Sequence, residues 1–152
     1  MSLAESAKQQ ALEFMDTMRS AGNEQFGFDR KSVAHVDGFV ERMSKSARRN
    51  EQRRAHLVSF VGSYLGEAIL AAYGGKWVEL DGGLVIHIEH GERISMLQPY
   101  GKVHDRIMNG DEDNLEFYFA EFIPKTLSGE APPEWSMGER PVEPNKPWWK
   151  VW

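Results

Sequence analysis

The chain of 152 residues contains no cysteine. That absence removes disulfides, thiolate nucleophiles and thiolate metal ligation together. It agrees with a reducing compartment, and the expected localisation is cytoplasmic. No apolar run approaches 18 residues, so no membrane span is expected. The first ten residues, MSLAESAKQQ, hold no basic stretch leading into an apolar one, so no signal peptide is expected. A basic excess is also missing. The formal net charge is −5, which argues against wholesale nucleic-acid binding.

Several chemical signatures are missing as well. There is no G-x-S-x-G elbow, because Gly62-Ser63-Tyr64 falls inside a helical pattern rather than at a strand–turn–helix junction. Gly74-Gly75 and Gly82-Gly83 punctuate turns and match neither a Walker nor a dinucleotide fingerprint. Of the five histidines, His87 and His90 fall on opposite faces of a strand, and His35, His56 and His104 fall on three different helices. The acidic run Asp111-Glu112-Asp113 suits a helix N-terminus, and Glu116 follows too soon to close a calcium loop. No catalytic residue, metal site or cofactor is expected.

What is present is ordinary for a globular protein: 41% hydrophobic and 27% charged residues. Ser2 followed by Glu5 is a capping box opening a helix over 3–20, with Leu3, Ala7, Ala11, Met15 and Met18 as its apolar stripe. Phe26 and Phe28 are loop anchors. Ser32 is the expected cap of a helix over 33–46, with Val36, Phe39, Val40 and Met43 buried. The polar basic stretch SKSARRNEQRR follows as a link. Asn50 opens a central helix over 51–73, in which Leu57, Phe60, Val61, Tyr64, Leu65, Ala68 and Ala72 keep the i, i+3/i+4 spacing.

Gly62 and Gly66 share one face of that helix, which predicts close approach of another backbone, or room for a ligand beside Glu67. Gly74-Gly75 ends the helix. Strands are expected over 76–80, 84–88 and 93–97, separated by turns at Asp81-Gly82-Gly83 and Gly91-Glu92. After a Pro99-Tyr100-Gly101 turn come a short helix over 102–108 and a last helix, capped by Asp113 or Asn114, that Pro124 ends. The fold class is therefore α+β. N-terminal helices pack on a three-stranded antiparallel meander in one domain over 1–127, with Trp77, Leu84, Ile86, Ile88 and Ile94 in its core. An extended Trp/Pro-rich tail follows over 128–152.

Leu65-Gly66-Glu67, Gly74-Gly75-Lys76-Trp77-Val78-Glu79, Pro99-Tyr100-Gly101-Lys102-Val103 and Arg106-Ile107-Met108-Asn109-Gly110 together carry a resemblance. Over residues 32–122 the chain resembles a small bacterial domain family of unknown function with a Leu-Gly-Glu helix, a Gly-Gly-x-Trp turn and a Lys-x-x-x-Arg-x-x-Asn-Gly segment. The resemblance implies an α+β architecture and carries over no catalytic residue.

The expected function is a non-enzymatic protein-interaction module in the bacterial cytoplasm. Immunity or antitoxin-type binding is its specific form, by analogy among compact bacterial α+β domains. Its contact candidates are Arg48, Arg49, Arg53 and Arg54, in the densest basic cluster, and Trp148, Trp149 and Trp152 in the tail, which would dock on the domain, a partner or a second copy. The alternative is a small-molecule-binding protein or enzyme with a pocket between helix 51–73 and the meander, its polar candidates being Tyr64, Glu67, His87 and Arg106. Nucleic acid is a weaker option, because no aromatic residue interleaves with the arginines.

Overall fold

The computed structural model describes residues 2–129; the rest of the tail, with Trp148, Trp149 and Trp152, lies outside the described residues. Ser2 opens α1 (Leu3–Ser20), its hydroxyl accepting the Glu5 N–H at 3.1 Å. The second helix starts earlier than its expected cap. Asp29, not Ser32, caps α2 (Arg30–Arg49), accepting the Ser32 N–H at 2.8 Å. That hydrogen bond from Ser32 holds the Asp29 carboxyl below its ordinary range. Ser32 turns its own hydroxyl to the Gly27 N–H at 2.9 Å and so pins the preceding loop.

The basic stretch is not a link. α2 runs through it to Arg49, and only Asn50 separates it from α3 (Glu51–Tyr73). Two forces favour the extra turn. Cations in a last turn complement the partial negative charge there. Arg54 also reaches back to the open carbonyls of Ala47 and Arg48, at 3.4 and 3.3 Å. Asn50 sits in extended backbone and accepts the Arg53 N–H at 3.0 Å, so one residue ends α2 and begins α3.

α3 is the central rod, roughly 35 Å long, and its residues from Val61 to Gly66 are buried on every side. By length and mean hydropathy it reaches the size of a membrane-crossing helix, which modifies the expectation of no such run. Half of that stretch is buried inside the protein, as in the core helix of a folded domain.

Gly74 and Gly75 end α3 with φ of 81° and 96°, values only glycine adopts easily. The chain then forms β1 (Lys76–Leu80), β2 (Gly83–His90) and β3 (Arg93–Leu97), an antiparallel sheet in the order β1-β2-β3. Asp81-Gly82 closes the first hairpin, both residues at positive φ. A side chain on Gly75 would strike the His87 carbonyl, so both glycine dihedrals and strand approach fix this corner. Ile86 and Ile88 face the helices. Ile94 does not: it pairs with exposed Glu89 and is 63% exposed, whereas Ser95 and Leu97 pair with Ile88 and Ile86. The expected core position of Ile94 was one residue out of phase with the pleat.

Pro99 does not form a turn after β3 but takes the first position of α4 (Pro99–Asn109), where its missing N–H costs nothing. A 3-10 turn, Gly110–Asp113, leads to α5 (Leu115–Phe117), capped by Asn114, whose side chain accepts the Phe117 N–H at 2.9 Å. A π-turn over Tyr118–Phe122 then joins α6 (Ile123–Ser128). Pro124 therefore does not end the helix. The wider π-turn just before it accommodates the ring that an unbroken α-helix would clash with.

Val33, Val36, Val40, Val61, Leu65, Ile69, Ile86, Leu97, Val103, Ile107 and Leu115 form the centre of the core, each at most 1% exposed. The protein is α+β, with helices packed on one three-stranded antiparallel sheet.

Candidate functional site

The four polar candidates of the pocket reading occupy four different environments. Tyr64 is fully buried among Phe14, Phe26 and Phe28, and its hydroxyl donates to the Gly27 carbonyl at 2.6 Å. Burial pushes its phenol well above the ordinary value. Glu67 accepts the Trp77 indole N–H at 2.7 Å. His87 lies mid-strand, opposite Lys76 and Met96, with Glu89 at 4.0 Å.

Arg106 is 2% exposed and faces α2. Its Nε and Nη2 donate to the two carboxylate oxygens of Asp37 at 2.8 and 3.2 Å, and Nη1 donates to Glu41 at 2.8 Å. Asp37 also accepts the Leu115 N–H at 2.8 Å and the Asn114 side-chain amide at 3.0 Å. The hydrogen bond to Asp37 holds the guanidinium still further above its ordinary range, so it stays cationic. This network clamps α4, α2 and the start of α5 together. None of the four candidates lines either cavity described below.

The glycine face of α3 receives aromatic side chains rather than another backbone. Gly66 lies under the Trp77 indole and Gly62 under the Tyr100 ring; a β-carbon at either would overlap ring atoms. The two rings stack with centroids 5.7 Å apart. Ser63, Gln10 and Ser59 continue the seam by hydrogen bonds: Tyr100 to Ser63 at 2.8 Å, then Ser63 and Ser59 to Gln10 at 2.9 and 3.0 Å. Because Ser63 donates to Gln10, Tyr100 donates to Ser63. Burial raises the Tyr100 phenol, which keeps that proton in place.

Two cavities open on either side of α3. One, of about 490 Å³, lies between α1, the first half of α3, the β1–β2 turn and the start of α4; Ala7, Gln10, Val58, Leu84 and Tyr100 are among its walls. It occupies the space between helix 51–73 and the meander, but nearer the hairpin tip than Glu67. The other, of about 600 Å³, is a groove between α1, α2 and α3, walled by Met18, Phe39, Met43, Leu57 and Phe60. Met43 is 43% exposed, and His56 stacks on Phe60 at 5.8 Å. Glu13, Arg53 and His56 supply the polar rim of this groove.

The basic cluster divides by role. Arg48 donates to the Ile107 carbonyl at 2.9 Å and closes the end of α4, and Arg54 closes α2. Arg53 bonds Ser46 across the α2–α3 corner, beside the groove. Among the described residues, no carboxylate lies within salt-bridge distance of Lys45, Arg48, Arg49, Arg53 or Arg54. Of these five cations only Arg53 lines the groove, and Arg54 lines the other cavity. Also among the described residues, no three His, Asp or Glu side chains converge as metal ligands.

The groove was the feature that sequence reading missed. Phe39, Met43, Leu57 and Phe60 were all placed on apolar helix faces. Periodicity identifies such a face but says nothing of whether a neighbouring element covers it. A scan against family models, a search of curated proteins and a search of solved structures each return no match. The resemblance to a bacterial domain family thus rests on its motifs alone.

Proposed function

We propose that this protein is a non-enzymatic interaction module whose α1–α2–α3 groove receives a protein segment bearing apolar and acidic side chains. The observation that supports it is a largely apolar groove whose rim carries Arg53, a cation with no carboxylate partner among the described residues. Aromatic and aliphatic walls reward burial of large side chains, and Arg53 at the rim favours negative charge. An acidic toxin held by an immunity-type protein in a bacterial cytoplasm is the specific form of this reading.

The test is site-specific photo-cross-linking in the cells that make the protein. A photoreactive phenylalanine at Met43 should yield one dominant adduct, whose partner peptide is apolar and acidic. Arg53→Glu should weaken that adduct, and the purified pair should dissociate as salt rises. An adduct with no acidic character, or one insensitive to Arg53→Glu, would overturn the proposal.

A further inference from the structure

We infer that the cavity between α1, α3, the β1–β2 turn and the start of α4 binds a small apolar molecule bearing a single carboxylate. It lies across α3 from the groove, so the inference stands apart from the docking of a protein segment.

Size and walls are the first argument. The volume of about 490 Å³ falls within the roughly 300–1,000 Å³ of small-molecule pockets. Leu3, Ala7, Val58 and Leu84 supply apolar walls. Burying an alkyl or aryl body against them is favoured by about 25 cal/mol per Å² of apolar surface.

Gln10 is the second. Its carboxamide oxygen accepts from Ser59 at 3.0 Å and from Ser63 at 2.9 Å, which uses both lone pairs. Those two bonds fix the orientation of the amide. Its nitrogen, with two N–H donors, has no acceptor among the described residues, and Gln10 stands in the cavity wall. Arg54 lines the same cavity. Its Nη1 makes only long bonds to the Ala47 and Arg48 carbonyls, at 3.4 and 3.3 Å. No carboxylate among the described residues lies within salt-bridge distance of its guanidinium. Arg54 and Ser59 are separated by about 7.5 Å along α3, a gap that an arginine side chain and one carboxylate bridge. Positioned donors in excess call for an acceptor-rich ligand.

Glu51 sets the charge of that ligand. It lines the same cavity one turn before Arg54. A monoanion matches Arg54 through charge-assisted hydrogen bonds. The second charge of a phosphate monoester is left to face Glu51.

The probe is octanoate, compared with 1-octanol and octyl phosphate, which put no charge and nearly two charges on the same chain. In the full chain, isotope-labelled for NMR, octanoate should move the Gln10 side-chain amide resonances and the Gly83 and Gly101 backbone resonances. It should bind about tenfold or more tighter than either companion. Gln10→Glu keeps the oxygen that accepts from Ser59 and Ser63 but replaces the amide donors with negative charge. It should weaken octanoate about tenfold or more and leave 1-octanol unchanged. Ala55→Phe, at an exposed wall position, should abolish octanoate binding by filling the cavity, and Met43→Asp in the groove should leave it intact. An unmoved Gln10 amide at millimolar octanoate would overturn the inference. So would 1-octanol or octyl phosphate binding as tightly as octanoate, or octanoate binding that survives both Gln10→Glu and Ala55→Phe. Loss of binding in Met43→Asp but not in Ala55→Phe would place octanoate in the groove and overturn it as well.

Discussion

Arg106→Ala removes one partner from an almost completely buried ion pair. The wild-type side chain is 2% exposed and Asp37's is 10% exposed, so little water reaches either charge. After truncation Asp37 keeps its bonds from Leu115 and Asn114 but loses, among the described residues, the only cation within 4 Å. Breaking a buried pair from one side costs about 3–5 kcal/mol. Against a total stability of about 5–15 kcal/mol, that is a large fraction. For a chain of this size it corresponds to a fall in Tm of about 2–4 °C per kcal/mol.

The geometry also ranks the neighbours. Asp37→Ala should cost at least as much, because it strands Arg106, the Leu115 N–H and the Asn114 amide together. Arg106→Lys keeps the charge but cannot donate to both carboxylate oxygens in one plane, and should fall between. Glu41 is 62% exposed, so Glu41→Ala should cost only about 0.2–1 kcal/mol. Urea titrations followed by far-UV circular dichroism give all four values. A loss below about 1 kcal/mol for Arg106→Ala would refute the reasoning, since that is the range of exposed pairs. So would Glu41→Ala proving the costliest of the four.

Three further outcomes follow from local geometry. Gly66→Ala gains about 1 kcal/mol of helix propensity but drives a methyl into the Trp77 indole, which Glu67 and Tyr100 hold in place; net destabilisation in the same titration is expected, and a gain would show the indole free to move. Asn50→Ala should cost about 1 kcal/mol as a lost cap; a neutral result would show that the helix junction does not depend on the Asn50 side chain. Tyr64 and Tyr118 have phenols raised by burial, so the folded state holds their protons after the unfolded chain, with pKa near 10, has released them. Their contribution is full below pH 10 and is lost as pH rises above it, at about 1.4 kcal/mol per pH unit for each tyrosine. Tyr64→Phe should flatten that alkaline slope in chemical denaturation series, and an unchanged slope would contradict the assignment.

The sequence was most informative where one local rule acted alone. The first and third helices, the glycine pair that ends α3 and the three strands follow from period and turn chemistry, so their positions were legible to within a residue or two. Errors arose where two signals competed. Ser32 and Asp29 are both good caps, and only the loop geometry shows that Ser32 is committed to Gly27. The basic stretch looked like a solvated linker because propensity does not record that Arg54 would reach back to cap α2. Ile94 sits in a five-residue strand, where a one-residue phase error moves it from core to solvent.

The site was less legible than the fold. Arg106 and Asp37 are 69 residues apart, so no spacing rule connects them. They turned a presumed ligand contact into a clamp. Gly62 and Gly66 did signal close approach, but a glycine face does not reveal whether backbone, ligand or aromatic ring will lie against it.

Asn50 gives the two longest helices a shared pivot with no slack. With no loop between them, the angle between the two rods is set at one residue's backbone dihedrals. Arg48, just before the pivot, is tethered to the far end of α4 through Ile107. A guest that spread α2 from α3 at Met43 and Leu57 would have to turn the backbone at Asn50, beside the Arg48 tether to α4.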